Sequence, residues 1–436
     1  MRHGQYSADP VATFGMDCRE VRKDARRGQP ALIECRHPHS ACRTRLAHQA
    51  DGRRLMTVET VLADLVAFPS VCRTPNGAIV DHVRAFLSGH GVESTILPGP
   101  EGDRSNLFAT IGPQLPGGVV LSAHLDVVPA PPEGWLGDPF SLRRDGDRLI
   151  GRGAVDMKGF VACVLASVPM LVARKLERPI HIALSYDEEV GCIGVRHMIA
   201  RLPELCAQPQ GCIVGEPSGL HPVLRHKGKI AQRVTVNGKA GHSSRPDLGD
   251  NAIHYASQLI SAVHAEALKH ADEGPFAPAF APPYSTLQVG TIQGGASINI
   301  VPARCVFEVE ARAIAGQQPA ELLAFLPGEA ERIRLAAERT GHNVAFGFET
   351  MSDYPPLELP EGDPLVALTE AVSMMPRQQA VSFGTEAGLF QAAGIPAIVC
   401  GPGDVNRAHK PEEYITDGEL AGAMAMIARL ADRLEG

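Results

Sequence analysis

The chain has 436 residues, too many for one ordinary hydrophobic core, so two domains are the expectation. Its composition, 44% hydrophobic and 21% charged with no apolar run near the roughly 18 residues of a membrane span, is that of a globular protein without a membrane partner. A net charge of −8, with no basic stripe carrying interleaved aromatics, speaks against a nucleic-acid partner and for a small-molecule one. The ten cysteines form no C-x-x-C pair and no regular spacing, which argues against a disulfide framework or a thiolate zinc site and for a reducing cytoplasm.

Residues 1–55 are dense in Arg and His and hold no hydrophobic period long enough for a full element, nor the apolar core of a signal peptide. They are expected to be disordered, or an extension ahead of a natural start at Met56. Thr57 can then cap a helix carrying Val58, Val61, Leu62, Leu65 and Val66. Helical and extended segments alternate as far as about Arg225: a helix over 77–91, strands over 93–97, 106–111 and 119–122, an apolar helix over 159–174, a strand over 180–186, a helix over 194–202 and a strand over 212–214. This alternation predicts an α/β domain with a largely parallel mixed sheet and helices on both faces. Between 226 and 349 the rhythm changes to strands over 231–237, 285–292, 305–312 and 343–348, with helices over 251–268 and 319–339. That pattern predicts a smaller α+β insert of the split β-α-β, ferredoxin-like kind. Alternation resumes from 350 to 436, so the first domain is expected to comprise 56–225 and 350–436.

The chemistry-bearing residues collect after strands. His124 and Asp126 follow the apolar run Val119–Leu121 two positions apart, and Asp156 stands in a glycine-punctuated loop. Asp187, Glu188 and Glu189 follow the 180–186 strand, Glu216 follows 212–214, and His409 lies beyond the strand ending at Cys400. Ligands in open α/β sheets sit at the carboxyl ends of strands. Two imidazoles and three or more carboxylates can therefore meet at one sheet edge, a nitrogen and oxygen donor set suited to two zinc-like ions. Taken singly, an acidic run after a strand is usually a solvated turn, and His124 could be a satisfied core histidine. It is their joint placement that points to a site. GRGAVDMKG lacks the G-x-x-x-x-G-K-[ST] of a phosphate loop, and GTEAG at 384–388 lacks the serine of a nucleophile elbow.

The segments SAHLDVVP, GRGAVDMKG, YDEEVG, GEPSG and GPGDVNRAHKPEEY, in that order, resemble the motif series of the zinc-dependent aminoacylase and carboxypeptidase-type metallopeptidase superfamily. That superfamily also contains acetylornithine deacetylases and succinyl-diaminopimelate desuccinylases. The resemblance spans about 56–436 and implies two divalent metal ions, Zn2+ or Co2+. Asp156 would bridge them, His124 and Glu216 would complete one site, and Glu189 and His409 the other. Glu188 would be the general base, and Asp126 would orient the His124 ring by accepting its second N–H. The insert would be a lid that pairs subunits into a homodimer, with His242 of GKAGHSSRPDLGDNAI reaching the partner's site to stabilise the oxyanion. Asn299 and Arg312 match substrate-binding positions, although a surface arginine at a strand end fits Arg312 equally well.

The segment SFGTEAGLFQAAGIPAIVCGPGDVNRAHKPEEYI looks most like the acetylornithine deacetylase branch, where Glu386 could favour a cationic tail such as the ornithine ammonium. The expected activity is hydrolysis of N2-acetyl-L-ornithine to L-ornithine and acetate in arginine biosynthesis. The alternatives are a related N-acyl-amino-acid deacylase, a desuccinylase, a dipeptidase or, from another class, a non-catalytic binding homologue.

Overall fold

Four apolar segments, Val119–His124, Ile180–Ser185, Gly211–Pro217 and Ala397–Gly401, are buried along their whole length in the computed structural model, which describes residues 57–435. Burial on both faces is what a parallel sheet between helical layers requires. These strands pair in parallel in the order 180–185, 119–124, 211–217, 397–401, and Ser105–Ile111 and Ser94–Pro98 extend the first edge antiparallel. The result is a six-stranded, mainly parallel mixed sheet, as the alternation predicted. The expectation for residues 1–55 lies outside the described residues.

Helices cover both faces. On one, Lys158–Val172 packs against Val58–Val66 and Asp417–Leu434. Its residues Phe160, Val161, Val164, Leu165 and Val168 are all buried, because the helix is apolar almost all round. On the other face Val195–Leu205 and Ala387–Ala392 close a second apolar layer with Val120, Ala183, Val214 and Val399. Thr57 caps the first helix as expected, in a reciprocal capping box with Thr60.

The four strands Gly228–Asn237, Thr286–Gly294, Arg304–Ala313 and Ala345–Tyr354 form an antiparallel sheet ordered second, third, first, fourth. Helices Ala252–Glu273 and Leu326–Arg339 give this sheet its own core around Val234, Leu259, Phe307 and Ile333. Sequence and order are those of the split β-α-β unit. The outer face carries cross-strand charges, with Arg233 bonded to Glu308 and Glu349 on its two neighbours. The chain enters this sheet just after Arg225–His226 and leaves it just before Leu357–Glu358, and these two short strands pair with each other. The helix expected over 319–339 is in fact two, Pro319–Leu322 and Leu326–Arg339. Pro327 lacks the N–H of a helix interior and its ring clashes with the preceding turn, so it sits in the first turn of a new helix.

One close approach joins the core to the site. A Cβ at Gly215 would lie 2.0 Å from the buried Phe160 ring, on the strand residue just before Glu216. Gly215→Ala should therefore lower the unfolding free energy by about 1–3 kcal/mol through overpacking. Urea denaturation reads this as a shift in midpoint, and Phe160→Leu added to Gly215→Ala should recover part of it.

Candidate metal centre

The strand ends deliver the side chains to one place. Asp156 lies in the loop ahead of the Lys158–Val172 helix, following a turn that Gly153 makes at a φ of 80°. Its two oxygens face different imidazoles: Oδ1 is 3.1 Å from His124 Nε2 and Oδ2 is 3.3 Å from His409 Nε2. Glu216 Oε1 lies 3.6 Å from His124 Nε2, and Glu189 Oε2 lies 2.9 Å from His409 Nε2. Donor atoms of His124, Asp156 and Glu189 fall within 4.8 Å of one another, as do those of His124, Glu188 and Glu216. His124, Asp156 and Glu216 are buried, whereas about half of the His409 side chain is exposed.

This gathering is electrostatically crowded. Burial, together with neighbouring carboxylates and against the pull of His124, pushes the Glu188 carboxyl up to about 8. Burial and Asp156 push Glu189 up to about 7, and burial, Asp156 and Glu188 push Glu216 well above its ordinary value. Hydrogen bonds to Asp156 and Glu189 raise His409 to about 10. Against its burial, Asp156 is held low by the two histidines. Closely packed nitrogen and oxygen donors that retain protons for want of positive charge fit divalent cations.

A supporting set of contacts fixes the donors. Asp126 accepts the backbone N–H groups of Glu188 and Glu189 at 3.2 Å each. The His124 ring meets Asp126 at two points, with Nδ1 2.9 Å from the Asp126 backbone carbonyl and 3.5 Å from Oδ1. The same carboxylate thus spans the ring and the two amides.

Several supporting residues were not singled out from sequence. Glu413 accepts the amides of Val155 and Asp156 at 3.0 and 3.1 Å and the Arg152 guanidinium at 2.6 Å. Lys158 is fully buried, donates to the carbonyls of Leu65 and Phe68, and is pushed down to about 7 by that burial. Cys192 donates its thiol to Glu188 Oε1 at 3.3 Å. The available signals were a charge opening an otherwise apolar helix and a second glutamate four positions after His409. Asp187, Cys192 and His409 take left-handed backbone conformations, with φ of 54°, 53° and 61°, an uncommon cluster for residues other than glycine.

The remaining expected site residues lie elsewhere. His242 and Asn299 are exposed on adjacent short segments of the insert, with the Asn299 carbonyl accepting from Ser243 N. Their side chains bond to Ser244 and Ser297, respectively, and among the described residues no hydrogen bond joins them to the donor cluster. Arg312 is half-buried and braced by Glu310 at 2.8 Å. Glu386, expected at the substrate, is instead 1% exposed and accepts hydroxyls from Ser122 and Ser185. A buried carboxylate with both oxygens occupied does not present itself to an incoming ammonium.

The crowding sets a pH dependence. Glu188 and Glu189 rise to about 8 and 7 from 4.5 in the unfolded chain, and His409 to about 10 from 6.5, so these groups hold more protons in the metal-free folded protein, the glutamates from about pH 4.5 to 8 and His409 from about 6.5 to 10. Stability from these groups is full at the acid end and is lost as pH rises. Chelator-treated protein should thus become easier to unfold in urea across these ranges. With excess Zn2+ the trend should reverse, because binding displaces protons. A flat metal-free profile would contradict the crowding.

The profile of peptidase family M20/M25/M40 matches residues 120–433. The acetylornithine deacetylase of Myxococcus xanthus is 35% identical over 390 residues, covering 86% of this chain and 97% of that protein. That of Photorhabdus laumondii is 32% identical over 376 residues, covering 84% and 94%. Among solved structures, an M20 family metallo-carboxypeptidase from Sulfolobus solfataricus superposes with a TM-score of 0.70 at 20% identity, over 87% of this chain and 99% of that one. A dinuclear metal-binding M20 peptidase from Bacillus subtilis gives 0.58 at 17%, over 87% and 98%. The structural likenesses establish the fold, and the sequence matches establish the lineage: this chain belongs to the M20/M25/M40 peptidase family.

Proposed function

We propose that the chain is a cytoplasmic two-metal amide hydrolase that removes the acetyl group from N2-acetyl-L-ornithine, giving L-ornithine and acetate for arginine biosynthesis. The observation that carries this reading is Asp156, whose two oxygens each face a different histidine. The likeness to acetylornithine deacetylases over more than four-fifths of the chain supports the substrate. In this reading His124, Glu216 and Asp156 would hold one Zn2+ or Co2+ ion, and Glu189, His409 and Asp156 would hold the other. Such ions, when bound, polarise an amide carbonyl and lower the pKa of water.

The protein's own groups do the rest. Glu188 is held at its amide by Asp126 and at its carboxylate by the Cys192 thiol. It takes the proton of the attacking water as the new C–O bond forms, and returns it to the amine nitrogen as the C–N bond breaks. In this reading Arg312, braced by Glu310 at 2.8 Å, would grip the substrate carboxylate with its planar fork. The insert, 226–349, is a lid and pairing domain in this scheme, and 56–225 with 350–436 is the catalytic domain. His242 and Asn299 are too exposed to act without a further surface, which a homodimer would supply. The partner subunit's His242 would then donate to the developing oxyanion, a contact worth about 3–4 kcal/mol of barrier.

Chelation should abolish hydrolysis, with Zn2+ or Co2+ restoring it, and Glu188→Gln should lower kcat by about 10²–10⁴ while the protein still binds metal. A kcat/KM panel of N-acetyl and N-succinyl amino acids, together with dipeptides, tests the substrate. A preference for N-succinyl substrates or dipeptides would move the assignment within the family, and no turnover by the metal-loaded protein would favour a binding homologue. Subunit sharing has its own signature. Mixing inactive His242→Ala with inactive Glu188→Gln should regenerate activity in hybrid dimers, since one of the two sites then has an intact Glu188 and a partner's intact histidine. Absence of recovery in verified hybrids would remove His242 from the mechanism.

A further inference from the structure

Behind the donor cluster, in the apolar layer closed by the Ala387–Ala392 helix, lies the carboxylate of Glu386. One oxygen accepts the Ser122 hydroxyl at 3.2 Å, and the other accepts the Ser185 hydroxyl in a shorter bond. Those serines belong to different strands. Ser122 stands two residues before His124 on its strand, so the two side chains point to the same face. Ser185 pairs directly with His124 across the parallel ladder and leads, three residues later, to Glu188. A single side chain therefore grips the strand that ends in the imidazole and the strand that launches the two glutamates. The backbone ladder sets the register of these strands, but it ends at the His124–Ser185 pair, just short of the loop that carries Glu188 and Glu189. The bond from Leu125 N to the Ser185 carbonyl is one further tie, and the Glu386 clamp lies immediately beneath it.

We infer that Glu386 is a positioning residue, which fixes the separation of His124 from Glu188 and Glu189 by clamping Ser122 to Ser185, and that it does not read the substrate's side chain. The roles given to His124 and Glu188 are those of the proposed hydrolase, so the inference rests on that reading. The chemistry favours a clamp. Burying a carboxyl in an apolar layer is costly, and both of its oxygens are satisfied by hydroxyls whose only common feature is their place beneath the site. A glutamine there can imitate the arrangement, accepting from one hydroxyl through its carbonyl and donating to the other through its amide. An alanine cannot.

The test uses the full chain loaded with Co2+ or Zn2+, and the variants Glu386→Ala, Glu386→Gln and Ser122→Ala/Ser185→Ala. Two quantities are read: kcat and KM for N2-acetylornithine and for a neutral N-acetyl amino acid, and metal affinity by chelator competition. Glu386→Ala should weaken metal binding and lower kcat about 10-fold or more, equally for both substrates and with little change in KM. Glu386→Gln should restore most of both. The serine double variant should reproduce the loss and add little when combined with Glu386→Ala, the non-additivity of residues acting as one unit. A rise in KM confined to the cationic substrate, or folded variants with unaltered kcat and metal affinity, would overturn the inference. If Glu386→Ala does not fold, the glutamine and serine variants carry the same comparison. If the wild-type chain hydrolyses none of the substrates, it is the proposed function that fails, and metal affinity still decides whether Glu386 is a clamp.

Discussion

Everything at the sheet edge depends on keeping like charges together. Asp156, Glu188, Glu189 and Glu216 converge on two imidazoles, which hold Asp156 low while burial leaves the three glutamates reluctant to ionise. The fold meets this by spreading the restraint. Asp126 takes the amides of two glutamates, Glu413 takes the amide of Asp156, and Arg152 compensates Glu413 in turn. Such supports orient donors without occupying the space where cations fit, and they account for the many buried polar groups in an otherwise apolar region.

The path of the chain follows from the same constraint. His409 is needed beside Glu189, yet the four-stranded antiparallel sheet is built from the residues between them. The excursion is accommodated because Arg225–His226 and Leu357–Glu358 pair, so exit and return run side by side and the parallel sheet adds Ala397–Gly401 beside Gly211–Pro217. The two sheets keep separate cores, each with its own helices. In the proposed hydrolase the antiparallel sheet contributes in two ways: Arg312 acts within the protomer, and His242 acts across to a second copy.

Much of the fold was legible because its signals are local. Runs such as Val119–Leu121 and Ile182–Leu184 are apolar at consecutive positions, as strands buried on both faces are. Thr57 marks a helix start through a cap that needs no tertiary context. The long helix over 319–339 was misread because its apolar period continues across Pro327, and backbone chemistry overrode periodicity there. Short ribbons such as Arg143–Asp145 with Arg148–Ile150 escaped notice because three residues carry no period.

For the site, the sequence by itself determined the donor types and their delivery at strand ends, since a strand's direction and its two-residue alternation are properties of the backbone. Only the tertiary structure decided which donors share Asp156, that the Asp126 carboxylate also accepts the amides of Glu188 and Glu189, and that Glu386 faces inward to Ser122 across 264 positions of sequence. These are contacts between segments remote along the chain. Their geometry depends on how helices seat against the sheet, and no local spacing encodes that.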